Sequence, residues 1–380
     1  MRLILINIFV LLILIICSEL LLWQFLPTIY PIEQINNNQY IPSSHDANQK
    51  YHISSNEGLY GIDSNIIFTT NNFGFRGDNL TEEKNISEYR IFLIGGSTIE
   101  NLYIDDLKSV EKRLQKKLQS VIDTSMQIKV LNAGKSGDIS TDHLSMIAHR
   151  INHLKPNLIV LLCGINDFRR SINNYDYLHM PKKESAHISK MFKKVLTRYS
   201  QITRRVLILK NNINIDNHIE KITFITRHKQ LFKNNQKKEE IRFTKQYSTK
   251  YYENNLKSIV GLCKINNISL ILLTQPTTWN SKQSDEINKC HWMTYAENNK
   301  RYFTVDLQNG MKKFNDITKK ISYENNVILL DLDKIIPPTE KYFFDDCHFN
   351  NEGVILTSEL LSKIIIKNNL IQIRKNFQKN

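Results

Sequence analysis

The chain has 380 residues, of which 41% are hydrophobic, a composition able to bury a core in one large domain or two small ones. Lys and Arg number 51 against 37 Asp and Glu, which gives a formal net charge of +14. No RNA- or DNA-binding motif accompanies this charge, and an A/T-rich genome produces a similar excess of Asn, Ile and Lys. The composition excludes a disordered chain and gives no support to a nucleic-acid partner.

The first clear element is an apolar segment over residues 3–25, which only four strongly polar residues interrupt. At 1.5 Å rise per residue, such a helix can cross roughly 30 Å of hydrocarbon. Glu19 is the residue least suited to a membrane, but it lies one turn before Trp23 and can therefore reach the interface, where Trp is enriched. The segment predicts a transmembrane helix.

A cleaved signal peptide and a lipoprotein signal are the alternatives for this segment. The residues before Glu19 are ICS, which lack an A-x-A-like cleavage site, and LIIC lacks the small residue expected before a lipidated cysteine. We therefore predict an uncleaved anchor over residues 1–26. Arg2 precedes the apolar segment and Lys50 is the next basic residue after it, so the positive-inside tendency predicts a cytoplasmic amino terminus and export of the rest.

Four of the five cysteines follow the predicted anchor into an oxidising compartment. They form no C-x-x-C pair and show no zinc-ligand spacing. One disulfide among these four is compatible with the sequence, which does not choose the pair. They are Cys163, Cys263, Cys290 and Cys347.

Apolar runs define a sheet in the second part of the chain. Residues 27–85 show no sustained periodicity, so we predict a stalk with a few short irregular elements there. From residue 90 onward, apolar runs alternate with long helical segments, which is typical of a parallel sheet covered on both faces. The runs are RIFLI (90–94), QIKVLN (127–132), NLIVLLC (157–163), ISLILLT (268–274) and NVILLDL (326–332). The pattern predicts an α/β fold, a three-layer α/β/α sandwich with five parallel strands, over residues 86–380.

Helices fill most of the intervals between these runs. They are predicted at about 105–122, 139–154, 251–266, 299–323 and 351–368. The segment 169–254, between the third and fourth strands, is far longer than one crossover needs. We interpret this basic, Lys-rich insertion as a solvated helix pair with a loose linker. A cap that selects substrate or rests on anionic lipid headgroups is the alternative.

Residues that can carry chemistry follow the predicted strands, where ligands bind in open α/β sheets. Ser97 follows the first strand in GGST, and His348 lies in DDCHFNNEG after the fifth. A serine hydroxyl is a poor nucleophile unless a base removes its proton, and His348 can do this if Asp345, three residues earlier, orients its ring. Asp346 is the alternative orienter by adjacency.

A tetrahedral intermediate formed on Ser97 would also need hydrogen-bond donors for its oxyanion. The backbone N–H of Ser97, the backbone N–H of Gly137 in NAGKSGD and the side-chain amide of Asn166 in GIND can supply three donors. Glycine suits position 137 because the backbone can then approach a substrate without a Cβ in the way. These residues together predict an acyl-transfer site.

The four blocks GGST, NAGxSGD, GxND and DxxH resemble those of the SGNH hydrolases, also called the GDSL family. The resemblance covers about residues 70–365, and it includes NNFGFRGDNL, which is similar to the segment before the first strand in many exported bacterial members. Each block is weak alone, but the four occur in the family's order and at the expected strand ends.

The resemblance implies a nucleophile at Ser97, oxyanion donors at Ser97, Gly137 and Asn166, and a base and its orienter at His348 and Asp345. The nucleophile block reads G-G-S-T instead of G-D-S-L, a common departure. The resemblance also implies a flavodoxin-like sheet, cleavage of oxygen or sulfur esters, and no metal or organic cofactor. Anchored members in the bacterial cytoplasmic membrane often act on acylated envelope polysaccharides outside it.

Structural explanations compete for several of these residues. Ser97 alone is more typical of a helix N-cap, and Asn166 and Asp167 can cap or hold a loop. His143, His149 and His153 lie on a predicted helix and are interpreted as surface or packing residues. His291, in KCHWM, has neighbours that can line a pocket but no Asp at the required offset. G-x-S-x-G is absent from the chain, which argues against an α/β-hydrolase nucleophile elbow.

We therefore expect an anchored, extracytoplasmic ester hydrolase or acyl transferase with an acyl-Ser97 intermediate, acting on short acyl groups such as acetyl on an envelope glycan. A lipid esterase or thioesterase at the membrane surface is one alternative, which an apolar groove beside Ser97 would favour. A non-catalytic polysaccharide-binding or assembly protein that keeps the fold is the other. An open cleft with aromatic and polar walls would favour the glycan enzyme.

Overall fold

The computed structural model describes residues 2–25, 45–54, 59–122, 125–172, 200–210, 239–244, 246–280, 284–294 and 300–372. Contacts divide the chain into two compact units, residues 1–37 with 178–226 and residues 38–177 with 227–380. The predicted stalk up to residue 44 and most of the predicted insertion 169–254 lie outside the described residues. The domain boundaries proposed from the sequence remain predictions.

Five parallel strands form the central sheet, as the apolar runs predicted. The described strands are β1 (Lys50–Ser54), β2 (Asn65–Thr69), β3 (Glu88–Gly95), β4 (Gln127–Asn132), β5 (Leu158–Leu162), β6 (Glu240–Ile241), β7 (Ser269–Leu273), β8 (Arg301–Tyr302) and β9 (Ile328–Leu330). The sheet order is β4-β3-β5-β7-β9, and every pairing in it is parallel. Numbered within the sheet, this is the 2-1-3-4-5 order of flavodoxin-like folds.

Both faces of the sheet are buried. Side chains alternate along a strand, so Phe92 and Ile94 of β3 enter one apolar cluster and Ile91 and Leu93 enter the other. All four side chains have no exposed surface. A strand buried on both faces favours apolar residues at consecutive positions, as at 91–94 of RIFLI, whereas the buried Arg90 before them is paired with Glu88.

Helices cover the two faces and complete the three layers. The described α-helices are α1 (Arg2–Phe25), α2 (Ser97–Glu100), α3 (Val110–Val121), α4 (Ser140–His149), α5 (Ile165–Ile172), α6 (Gln201–Lys210), α7 (Lys250–Ile265), α8 (Asp285–Cys290), α9 (Thr304–Asn325), α10 (Leu332–Ile335) and α11 (Asn351–Lys367). Helices α4, α7 and α9 bury apolar side chains in one cluster, and α3 and α11 do so in the other. The predicted α/β/α sandwich is confirmed.

The segment before β3 contains a ribbon that the sequence pattern did not predict. Strands β1 and β2 pair antiparallel, from Lys50 opposite Thr69 to Ser54 opposite Asn65. Ile66 and Phe68, every second residue of β2, are 1% exposed. Only irregular elements were expected in this range, because an alternation of two buried residues is too short to predict a strand.

Helix α1 is a candidate membrane span. It has 24 residues and a mean hydropathy of 2.9 over its most apolar stretch, and none of that stretch is buried. A signal sequence near an amino terminus has a similar length and composition. Length and composition alone therefore do not distinguish an anchor from a signal sequence.

Glu19 of α1 makes a contact that the sequence did not reveal. Its carboxylate accepts hydrogen bonds from the backbone N–H of Gln201, from the backbone N–H of Ile202 at 3.1 Å and from Ser200 Oγ at 3.1 Å. The two N–H groups belong to the first turn of α6, where backbone donors have no partner within the helix. Within this unit, the carboxylate thus caps a second helix, and its negative charge faces the positive end of that helix.

All five cysteines are free thiols, so the disulfide left open by the sequence is not formed. Cys163 Sγ lies 3.7 Å from Tyr252 Oη, and Cys347 Sγ lies 3.8 Å from both Thr98 Oγ1 and Met293 Sδ. The two thiols occupy different buried surroundings. Each is a small buried packing residue.

Candidate active site

Gly95 and Gly96 connect β3 to Ser97, which therefore lies at the carboxyl edge of the sheet. A Cβ on Gly95 would lie 2.5 Å from the Leu162 carbonyl oxygen of β5, and a Cβ on Gly96 would lie 2.6 Å from Asn166 Nδ2. Both distances are shorter than real Cβ contacts, so only glycine lets the strand exit pack this closely. Gly96 is the N-cap of α2 and Ser97 is its first residue, so the interpretation of Ser97 as an N-cap is wrong.

Ser97, His348 and Asp345 form a hydrogen-bonded chain. Ser97 Oγ lies 2.7 Å from His348 Nε2, and His348 Nδ1 lies 2.8 and 2.7 Å from the two carboxylate oxygens of Asp345. Asp345 has no exposed surface and His348 is 3% exposed, whereas Ser97 is partly exposed. A reachable hydroxyl, a ring base and a buried carboxylate in this order are the arrangement of Ser-His-Asp hydrolases.

The side chain of Asp345, the first residue of the D-x-x-H turn, accepts hydrogen bonds from the backbone of the same turn. The backbone N–H groups of Cys347 and His348 donate to Asp345 Oδ1 at 3.0 and 2.9 Å. The same carboxylate therefore fixes the backbone of the turn and the ring at its end, which explains the three-residue spacing.

Two opposing effects act on the pKa of His348. Burial disfavours the imidazolium and lowers this pKa, whereas the charge and hydrogen bond of Asp345 raise it. The result is a pKa well above the usual 6.5. When neutral, such an imidazole is a strong base toward the Ser97 hydroxyl.

Asp346, the alternative orienter, binds a different set of donors. Its carboxylate accepts from Trp279 Nε1 at 2.7 Å, from Trp292 N at 2.7 Å and from Met293 N at 3.1 Å. Asp346 therefore joins two loops at the rim of the sheet. The structure places Asp345 on the imidazole instead.

Gly137 adopts a left-handed conformation with φ of +87°. A Cβ at this position would have no atom within 4 Å, so the backbone conformation favours glycine here, and crowding by the protein does not. Gly137 is exposed at the edge of the sheet, which leaves its backbone open to a ligand.

The loop that carries Gly137 is fixed to the helix that begins at Ser97. Glu100, at the end of that helix, is 3% exposed, and its carboxylate accepts the hydroxyl of Ser136. His45 Nε2 lies 2.9 Å from the same carboxylate. A buried acid with two partners thus ties the loop that carries Gly137 to the helix that begins at Ser97.

Asn166 lies between the other two predicted oxyanion donors. Its Nδ2 donates to the carbonyl of Asp138 at 2.9 Å and abuts Gly96. Since Asp138 follows Gly137 and Gly96 precedes Ser97, the three predicted donors meet at one edge of the sheet. A side-chain amide carries two hydrogens, so Asn166 has a second donor for a ligand.

Asp167 holds a loop, as one interpretation of the sequence proposed. It is 1% exposed and accepts the hydroxyl of Ser140 at 2.5 Å and the backbone N–H of Ser140 at 3.1 Å. Burial raises the pKa of Asp167 to about 6. The side chain therefore secures the first residue of α4.

His143, His149 and His153 take the packing and surface positions expected for them. His143 is buried on α4, and burial lowers its pKa to about 3. His149 and His153 are exposed. His291 Nε2 lies 2.8 Å from Thr278 Oγ1 in a buried contact.

Aromatic side chains beside His348 were not predicted as site residues. The Trp292 and Phe344 rings are nearly parallel to the imidazole, at 12° and 14° and centroid distances of 6.2 and 5.5 Å. The Arg169 guanidinium carbon lies 4.8 Å from the centre of the Trp292 ring, and Tyr103 meets Phe344 edge to face. In the sequence, the segment KCHWM was the one indication of this aromatic set, because the neighbours of His291 in it can line a pocket.

One set of three potential metal ligands occurs among the described residues. Ligand atoms of Asp345, Cys347 and His348 lie within 4.8 Å of one another. His348 Nδ1 and Asp345 are already hydrogen-bonded, so a cation there would compete with the Ser-His-Asp arrangement. We assign this set no metal.

No protein-family profile and no curated protein matches the chain. A lipase/acylhydrolase from Enterococcus faecalis is similar in structure at 14% identity and a TM-score of 0.41, over 75% of this chain and 99% of that one. A GDSL-like lipase from Bacteroides thetaiotaomicron is similar at 14% identity and a TM-score of 0.40, over 76% and 93%. An acetylxylan esterase from Geobacillus stearothermophilus is similar at 15% identity and a TM-score of 0.41, over 76% and 97%.

Proposed function

We propose that this chain, whose strand order and strand-end residues are those expected of SGNH hydrolases, is a serine ester hydrolase or acyl transferase. The observation that carries the proposal is the 2.7 Å contact between Ser97 Oγ and His348 Nε2, with the ring held by Asp345. A protein that only binds polysaccharide has no use for a partly exposed hydroxyl set against a buried base.

The first half-reaction would acylate Ser97. His348 Nε2 accepts the hydroxyl proton while Oγ attacks the acyl carbonyl carbon, and Asp345 stabilises the resulting imidazolium. The Ser97 N–H, the Gly137 N–H and the Asn166 amide donate to the oxyanion. The ester C–O bond then breaks, the imidazolium protonates the leaving alkoxide, and the acyl group stays on Ser97.

The second half-reaction would release the acyl group. His348 accepts a proton from water or from an acceptor hydroxyl, whose oxygen attacks the acyl carbon. Collapse of the second tetrahedral intermediate breaks the bond to Ser97 Oγ, which takes back a proton from His348. Water gives hydrolysis, and a sugar hydroxyl gives transfer.

The preferred substrate is a short acyl group, such as acetyl, on a cell-envelope glycan. Trp292 is partly exposed beside the His348 ring and Arg169 packs on its indole, and these two side chains give the site an aromatic and polar wall, which favours a glycan over a lipid. This wall supports the choice of substrate class, and the reaction class rests on the contacts of Ser97.

The test compares p-nitrophenyl esters of increasing chain length with full-length protein in detergent. Ser97→Ala removes the nucleophile, and Ser120→Ala, at an exposed serine of α3, is the matched control. We expect turnover of the acetate ester that falls with chain length and is lost only in Ser97→Ala. A preference for long-chain esters would point to the lipid esterase.

A second readout is covalent labelling with a serine-reactive fluorophosphonate. The label should appear on Ser97 in wild type and in Ser120→Ala, and it should be absent from Ser97→Ala. Wild-type protein that is neither labelled nor active on any of these esters would overturn the hydrolase proposal.

We also propose that α1 anchors the chain in the bacterial cytoplasmic membrane with the catalytic domain outside. The apolar helix and the early Arg2 support this orientation. Alkaline phosphatase fused after residue 380 should be active, because it folds only after export. An active cytoplasmic reporter at the same position would contradict the orientation.

A further inference from the structure

Trp292 touches the Ser-His-Asp arrangement in two ways. Its indole Nε1–H donates to Asp345 Oδ2 at 2.9 Å. Its ring lies nearly parallel to the His348 ring, at 12° and a centroid distance of 6.2 Å. Neither contact reaches Ser97, so these two contacts can act on Ser97 only through Asp345 and His348.

The placement of Trp292 is itself fixed from two sides. Its backbone N–H donates to Asp346 at 2.7 Å, and the Arg169 guanidinium carbon lies 4.8 Å from the centre of its ring. The backbone hydrogen bond fixes the position from which the side chain extends, and the guanidinium on the ring face restrains the indole, which cannot turn away from Asp345 without losing that cation contact.

We infer that Trp292 is a positioning residue of the Ser97 reaction, one that orients the Asp345 carboxylate and sets how strongly it attracts the proton of His348. The inference rests on the proposed hydrolase function. Asp345 Oδ1 accepts hydrogen bonds from the backbone N–H groups of Cys347 and His348, and Asp345 Oδ2 accepts one from the neutral indole N–H of Trp292. The carboxylate is then bound on both oxygens and presents one geometry to the ring.

The indole donor also has an electrostatic consequence of known sign. A hydrogen-bond donor offsets part of the negative charge of a carboxylate. Asp345 therefore stabilises the imidazolium less strongly than it would without the indole. Removal of the donor should raise the pKa of His348 further and loosen the carboxylate. The higher pKa of His348 should move the pH profile of kcat/KM, and the loosened carboxylate should lower kcat.

Several other ionisable groups surround Asp345 and His348. The thiols of Cys290 and Cys347 are buried, and burial raises the pKa of each, that of Cys290 to about 12. Burial lowers the pKa of His291, so that ring is neutral near pH 7. The nearby charged groups are Asp346, Arg301 and Arg169. His348 is thus the group expected to titrate on the acid side of the profile.

Trp279 offers a matched control in the same loop region. Its Nε1–H donates to Asp346 Oδ1 at 2.7 Å, so the same kind of hydrogen bond ends on the neighbouring carboxylate. Trp279 is 1% exposed, and its replacement should cost at least as much packing. Asp346 does not hold the imidazole, so loss of this indole should leave the pH profile unchanged.

The experiment measures kcat and KM for p-nitrophenyl acetate against pH in full-length wild type, Trp292→Phe and Trp279→Phe. Phenylalanine keeps an aromatic ring and removes the N–H. We expect kcat of Trp292→Phe to fall by about tenfold to a hundredfold with little change in KM, the range of a hydrogen bond to a charged group. The acid limb of kcat/KM should move to higher pH in this variant alone.

A spectroscopic measurement on the wild-type protein tests the role of Trp292 even if the Trp292→Phe variant does not fold. Indole ¹⁵N–¹H signals of the three tryptophans are assigned by Trp23→Phe and Trp279→Phe, which leaves Trp292 by difference. The Trp292 indole signal should shift with pH at the midpoint of the acid limb, and the Trp279 signal should not.

The outcomes separate the two proposals. Wild-type protein without Ser97-dependent turnover would remove the hydrolase function and, with it, the premise of this inference. If wild type is active, an unshifted profile in folded Trp292→Phe, or a Trp292 indole signal that ignores the titration of His348, would overturn the positioning role alone.

Discussion

His348 Nε2 lies 2.7 Å from Ser97 Oγ, although 251 positions separate the two residues in the chain. The contact joins the end of β3 to the loop after β9, two strands that are not neighbours in the sheet. The sheet therefore sets the distance between the Ser97 hydroxyl and the His348 imidazole.

Removal of either member of this pair should abolish most activity. Ser97→Ala and His348→Ala should each lower kcat for p-nitrophenyl acetate by about 10⁴-fold or more. The double variant should have the same kcat as the less active single variant, because the two residues act as a unit. Multiplicative losses in the double variant would show that the two do not share one step. Thermal unfolding should establish that all three variants fold.

The pH dependence of kcat/KM should report the raised pKa of His348. The base works only when neutral, so activity should rise as pH increases through that pKa, with a midpoint above 6.5. Asp345→Asn removes the charge that raises the pKa, so its residual activity should have a lower midpoint. A wild-type midpoint at or below 6.5 would contradict the prediction.

Asn166→Ala should affect the chemical step more than binding. Loss of one oxyanion donor typically lowers kcat by about 10²–10³-fold, with a smaller change in KM. Asn266→Ala, at an exposed asparagine that ends α7, is the matched control and should behave as wild type. Equal effects of Asn166→Ala on KM and on kcat/KM would assign Asn166 to substrate binding instead.

Asp138→Asn should change how stability depends on pH. Burial and the charge of Asp142 raise the pKa of Asp138 from 3.8 to about 8, so the folded state holds a proton that the unfolded state releases. Stability from this group is present at low pH and is lost as pH rises from about 4 to about 8. The Tm of Asp138→Asn relative to wild type should therefore increase across that window.

Asp285→Asn, at an exposed carboxylate, is the control for this series. This variant measures the pH dependence of Tm that an Asp-to-Asn change at the surface brings by itself. If the Tm of Asp138→Asn follows the same pH dependence as this control, the buried carboxyl of Asp138 is not protonated in the folded protein.

The sheet and the residues of the proposed triad could be predicted from the sequence because their signals are local. A strand buried on both faces favours a continuous apolar run, and residues 91–94 of RIFLI supply one. The residue types after each run follow from what an acyl-transfer site needs at the carboxyl edge. Asp345 precedes His348 by three residues, so the orienting contact was also within reach of the sequence.

Trp292 could not be assigned in the same way. Its contact with Asp345 depends on how the loop after α8 packs against the loop after β9, and no spacing rule links a tryptophan in one loop to a carboxylate in the other. KCHWM signalled a pocket wall but gave no partner. The β1–β2 ribbon was missed for a related reason, since only β2 residues 66 and 68 carry its alternation.

Glu19 changes what it means to shorten this protein at residue 26. Such a cut takes away a helix cap as well as an apolar segment, because the acceptor for the N–H groups of Gln201 and Ile202 leaves with the first residues. Exchange of the leader for an unrelated apolar helix has the same effect unless the new helix carries an acid at the position of Glu19. The first 25 residues are therefore a folding partner for a segment almost two hundred positions away.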